Sequence, residues 1–279
     1  MDRLSPRAIR SAGVTAGVLG LLALAPAVAS AQYRPPDLGG TPVIGEKYHV
    51  EVSGSIWNPA LFGVISSEQF GIPGSQIDFI DDLGYKKTRF RDFRIVLRPS
   101  QKSRFRIQNT PITYTAETLL NRSIVFNGIT FPVSVPLQSS FGWKVWRLGY
   151  EYDFLYKSRG FVGVLLEARF TDFSAELRSA LGNEFTAVKG PLPAIGGVGR
   201  FYVLPELALN FELSGMQVPQ IDPKYDGSYF DWDIHGTFNV NRYVGLQVGW
   251  RRVSTLITVD RDHGDLKFQG LWFGGALRY

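Results

Sequence analysis

Apolar residues recur at every second position in run after run of this chain, which is the period of a β-strand with one apolar face. In the last stretch Leu271, Phe273, Leu277 and Tyr279 share a face with Gly275 between them, whereas Gly270, Gly274, Ala276 and Arg278 share the other. Trp272 is the large apolar exception. The pattern predicts a strand of about fourteen residues ending at Tyr279. Similar runs predict strands at 46–57, where Tyr48, Val50, Val52 and Ile56 alternate with His49, Glu51, Ser53 and Ser55, and at 88–98, around Phe93, Ile95 and Leu97. Others carry Val162, Val164, Leu166, Ala168 and Phe170, then Leu207, Leu209, Phe211 and Leu213, then Phe230, Trp232, Ile234 and Phe238, then Leu246, Val248 and Trp250. Residues 194–203 read as a Gly-rich strand whose facing stays unassigned.

Asn127-Gly128 is the strongest local turn signal, because a type I′ turn needs positive φ at both central residues. Without a bulge the two arms pair so that residue numbers sum to 255, which sets Phe105 opposite Tyr150, Ile107 opposite Leu148 and Arg104 opposite Glu151. The apolar face then agrees between the arms. These arms are about twice as long as a bilayer needs, so their upper half is expected to project, with Pro111 and Pro132 at edges or bulges.

Connections between the predicted strands alternate long and short: 58–87, 99–103, the Asn127 hairpin, 157–160, 174–192, 204–206, 217–227, 239–241 and 254–265. Long outer loops alternating with short periplasmic turns are the habit of a transmembrane antiparallel up-and-down β-barrel. The class expected is therefore all-β, with about ten strands. Eight or twelve follow if the Gly-rich strand is misread or if 61–84 adds a pair.

Composition refines this picture. Arg3, Arg7 and Arg10, an apolar run from Ala16 to Val28, and Ala29-Ser-Ala31 read as a signal peptide over 1–31, cleaved before Gln32. Residues 32–45, rich in Pro and Gly, read as a periplasmic lead-in, and 46–279 as the barrel. The formal charge of +5 falls to +3 once Asp2, Arg3, Arg7 and Arg10 are set aside, too mild for a nucleic-acid partner. Cysteine is absent, which excludes disulfides and zinc-thiolate sites. A mean hydropathy of -0.03 is what alternating lipid-facing and lumen-facing residues average to.

The closing strand, with apolar residues at every second position and a final aromatic Tyr279, resembles the C-terminal assembly signal of Gram-negative outer-membrane barrels. Trp57-Asn-Pro59 and the Ile77-Asp-x-x-x-Asp-Leu-Gly84 element are similar to stretches in small proteobacterial barrels of unassigned role, akin to the OmpA-barrel and OmpW-like groups. The resemblance implies a monomer in the outer membrane, surrounded by lipid and lipopolysaccharide and inserted by the barrel-assembly machinery through its last strand.

Candidate chemistry lies on the inward face, which holds Glu51, Asp92, Arg94, Arg104, Arg106, Arg147, Glu151, Asp153, Glu167, Arg169, Glu212, Asp231, Asp233 and Arg251. Lone buried charges are prohibitive, so a salt-bridged lumen filling is expected. Arg104 with Glu151 is the first pair, and Arg98 is expected to join it. His49 with Glu51, and His235 with Asp231 and Asp233, share strand faces, but neither set has a nucleophile or third ligand at a recognisable spacing. Asp78, Asp81 and Asp82 offer hard oxygen ligands without EF-hand spacing, so a solvated or Arg-paired loop is the plainer reading. No catalytic, cofactor-binding or metal site is assigned. The function expected is structural or that of a passive small-solute pore with a largely filled lumen. The alternatives are a lipid- or lipopolysaccharide-modifying enzyme, or an adhesin acting through its outer loops.

Overall fold

The computed structural model describes residues 36–279 apart from 69–71, 181, 223–224 and 260–261. The expected signal peptide over 1–31 lies outside them. The walls are β1 (Val50–Trp57), β2 (Ala60–Ser67), β3 (Phe90–Leu97), β4 (Ser103–Leu119), β5 (Pro136–Lys157), β6 (Gly160–Ser179), β7 (Gly182–Tyr202), β8 (Leu207–Asp222), β9 (Tyr225–Asn239), β10 (Val244–Val259) and β11 (Asp262–Arg278). β1 and β2 form a single stave, since both pair with β11 in one register around Asn58-Pro59. β11 also pairs with β10, so ten antiparallel staves close on themselves. Closure leaves no sheet edge along the lower wall, the only arrangement by which strands satisfy their backbone groups in lipid.

Outward positions carry Ile56, Phe93, Phe105, Leu148, Leu166, Leu209, Phe211, Ile234, Val248 and Phe273, all exposed, and together they make an apolar belt around the barrel. The Gly-rich strand now has a facing: Ala194, Val198 and Tyr202 point inward, Ile195 and Phe201 outward. Short turns at 98–102, 158–159, 203–206 and 240–243 define the lower rim, where Tyr279 also lies.

Three of the expected long loops are corrected. Residues 174–192, 217–227 and 254–265 are mostly strand, and the ladders run up to Ser179↔Gly182, Asp222↔Tyr225 and Val259↔Asp262. Above the belt the outward face meets water and the inward face carries only scattered large apolar residues such as Leu177, so period-two patterning fades while the ladder persists. Nor is 58–87 irregular throughout. β2 continues the first stave, and Ile77–Asp78 pairs with it.

The Asn127 hairpin holds its register from Ser103↔Tyr152 to Leu119↔Pro136 and resumes it at Ile124↔Phe131, every pair summing to 255. Asn127 and Gly128 have φ of 50° and 81°, as a type I′ turn requires. Its tip does not project as a free loop. Ile124, Phe126 and Phe131 are fully buried in a core with Ile77, Phe79, Leu83, Tyr114 and Phe141. Pro111 stands in β4 just above the last β3–β4 pair, Phe93↔Asn109, an edge position as expected.

Candidate functional site

Inward side chains divide the lumen into two zones. The lower zone gathers nine carboxylates (Glu46, Glu51, Asp92, Glu151, Asp153, Glu167, Glu212, Asp231, Asp233) and nine guanidinium groups (Arg94, Arg98, Arg104, Arg106, Arg147, Arg169, Arg200, Arg251, Arg278), buried or half-buried. Equal numbers matter, because an unpaired charge in so confined a space costs several kcal/mol, of order 3 to 5. β4 and β5 bring Arg104 to Glu151, and Arg106 reaches the same carboxylate at 2.6 Å. Asp153 follows at a bulge between Tyr152 and Leu155 and accepts from Arg104 at 2.5 Å. Glu212 takes Arg106 at 2.8 Å and Arg147 at 3.1 Å, and Asp231 takes Arg251 at 2.8 Å. Arg147 is held between Glu167 at 2.8 Å and Asp231 at 3.1 Å.

Arg98 does not join Glu151 as expected. Its partner is Glu46, at 2.8 Å, and Glu46 also accepts from Arg200 at 2.8 Å, Arg104 at 3.1 Å and the Tyr202 hydroxyl. The expected strand at 46–57 therefore starts at Val50, and Glu46 to Tyr48 belong to a plug that the chain forms before entering the wall. Ile44 accepts from Asn239 Nδ2 at 2.9 Å, and its amide donates to the Pro205 carbonyl at 2.8 Å. Gly45 sits at φ +79°, where a Cβ would come within 2.5 Å of Arg278 Nη1, so this close passage requires glycine. Burial pushes the Glu46 carboxyl up, but Arg98, Arg200 and Arg104 together pull it further down, well below the usual carboxylate range.

The upper zone is apolar. Trp57, Tyr114, Phe141, Trp143, Tyr229, Phe268 and Trp272 form its floor and walls, with Trp143 and Phe268 rings 5.0 Å apart. The cap above it is pinned by Asp82, which takes Arg122 at 2.5 Å, and by Ser75, whose amide donates to the Val125 carbonyl at 2.8 Å. Asp78 accepts from the Ile80 and Asp81 amides at 2.7 and 2.8 Å, so this acidic segment is a self-capped turn with an arginine partner. Between the zones remains a cavity of about 70 Å³, bounded by Tyr48 below and by Trp57 and Trp272 above. That is room for a few waters.

The histidines are placed separately. His49 is exposed at the lower rim beside the Arg98 carbonyl, 3.4 Å away, while Glu51 turns to Arg278 at 2.5 Å. His235 Nδ1 lies 2.6 Å from Asp233 Oδ1, and Trp272 Nε1 donates to Asp233 Oδ2 at 2.5 Å. Asp231 serves the arginines instead. The inward face read from the sequence left out Glu46, Arg200 and Arg278 as members of the network, whereas Arg98 was expected there with a different acid. Arg200 and Arg278 carried a usable signal, the even spacing of Arg200 with Val198 and Tyr202 and the place of Arg278 on the face opposite Leu277 and Tyr279.

Solved structures with this architecture include the outer membrane protease OmpT from Escherichia coli, at 11% identity and a TM-score of 0.54, covering 82% of this chain and 96% of that one. The fold is that of an outer-membrane β-barrel. Looser likenesses are AlkL, at 13% identity and a TM-score of 0.40 (100% of this chain, 98% of that one), and Ail of Yersinia pestis, at 12% and 0.35 (83% and 99%). No protein-family model matches the chain, and neither does any curated protein.

Proposed function

We propose that this chain is an outer-membrane barrel sealed against solute flow, a structural element that carries the outer hairpins, with neither a conducting pore nor a catalytic centre. The observation that carries this reading is the double closure of the lumen, by Glu46 with three arginines below and by the capped aromatic zone above. A solute would have to break both. His235 is engaged with Asp233 in that interior. The apolar belt supports a bilayer location for the barrel, and the outward cations Arg91, Lys144, Arg252 and Lys267 sit above the belt. They suit the phosphates of lipopolysaccharide in an outer leaflet.

Planar-bilayer recording of the purified protein tests the seal. No conductance steps are expected from the native protein, and Gly45→Ala, which dislodges the plug, is expected to raise the leak. Regular single-channel steps from the native protein would overturn the proposal.

A further inference from the structure

The wall has an opening on one side. β7 pairs with β6 along its whole length, and β8 pairs with β9 up to Asp222↔Tyr225, yet the β7–β8 ladder stops at Ile195↔Gly215. Above that pair, among the described residues, Gly182 to Ala194 of β7 has no partner on its β8 side. The cause is legible in Gly190-Pro-Leu-Pro-Ala194. Alternate residues of a strand direct their N–H groups to opposite neighbours. The Tyr202 amide donates to the Arg159 carbonyl on the β6 side, and the β6–β7 register runs unbroken from there. Even-numbered residues of β7 therefore donate toward β6 and odd-numbered ones toward β8, and Pro191 and Pro193 remove two successive donors from the β8 side.

The opening begins within the apolar belt. Ile195 at its base is 65% exposed, and Phe170 and Phe230 flank it on the neighbouring strands. Behind it lies a cavity of about 190 Å³ lined by Phe173, Leu192, Met216, Tyr229 and Ile257, among others, and Trp143 stacks on Phe173 at 5.0 Å. Apolar cavities of roughly this size hold small hydrocarbons. We infer that this is a binding site for the acyl chain of an outer-leaflet lipid, entering sideways through the window between β7 and β8. Continuity of the cavity with the lipid-facing belt selects the chain over a soluble ligand, and the missing proline donors disfavour a peptide strand added to the β7 edge. The site rests on the membrane-embedded reading above but does not require a pore.

Tryptophan quenching by phosphatidylcholine brominated on its acyl chains tests it, with the full-length protein reconstituted in vesicles. Replacing the outward Trp146, Trp232 and Trp250 by Phe leaves lumen tryptophans only. Quenching is expected in that variant, is expected to vanish on adding Trp143→Phe, and is expected to drop several-fold when Pro191→Thr and Pro193→Thr restore the missing donors. If the native protein is quenched but the triple variant is not, the site is refuted while the embedded barrel stands. Quenching that survives the proline replacements would overturn the window as the route. No quenching even of the native protein would overturn both the site and the embedding.

Discussion

Arg104 and Glu151 are directly opposed cross-strand partners on β4 and β5 and share a hydrogen bond inside the barrel. A turn far above them, Asn127-Gly128, sets that register. Glu151 also answers Arg106, so its loss leaves two neighbouring guanidinium groups short of one acid. Glu151→Gln is expected to destabilise by about 3 to 5 kcal/mol. Arg106→Met should cost less, because Glu151 keeps Arg104 and Glu212 keeps Arg94 and Arg147. Urea unfolding midpoints in detergent compare the two, and equal midpoints would contradict the shared-acid arrangement.

Phe211 is an outward belt residue, whereas Thr113 is outward but lies above the belt on β4. Phe211→Arg is expected to cost about 2 to 4 kcal/mol in a bilayer, and Thr113→Arg about 0 to 1. Folding titrations in vesicles measure both. A large cost at Thr113 would mean that the belt reaches higher than its apolar residues indicate.

The Glu46 plug makes stability depend on pH. Its carboxyl is depressed in the folded state relative to an unfolded value of about 4.3, so its contribution is present above that value and is lost as pH falls toward the folded pKa. Little change in unfolding midpoint is expected between pH 8 and 5 from this group, followed by a decline below about pH 4. Glu46→Gln should have a lower midpoint at neutral pH and a shallower acid limb. An acid limb of the same steepness in the variant would assign the effect to other carboxylates.

Phe131 anchors the hairpin tip and is fully buried in the cap. Phe131→Ala is expected to cost roughly 3 to 5 kcal/mol locally, freeing the tip while the belt stays folded. Limited proteolysis of vesicle-inserted protein should then cut within 120–135 at least tenfold faster than in the native protein. Unchanged protection would show that the pairing of Ile124–Phe126 with Ile129–Phe131 holds the tip without its aromatic anchor.

The wall was legible residue by residue because each side chain in the belt faces either lipid or lumen, and that choice is written locally at period two. Leu209 against Asn210 and Phe211 against Glu212 are cases in point. Register on β4 and β5 was legible because a tight turn transmits it down both arms. Where the outward face meets water and the inward face carries only scattered large apolar groups such as Leu177, as in 174–192, alternation no longer carries the signal, and only the backbone ladder reveals strand. Apart from Arg104 with Glu151, partners for the inward charges were decided by tertiary structure: Glu46 meets Arg98, Arg104 and Arg200 because barrel closure brings a pre-strand segment under the lower ends of β3, β4 and β7. The window behind Pro191 and Pro193 belongs to the same category, since two prolines in a strand open a wall only once the strands on either side of it are known.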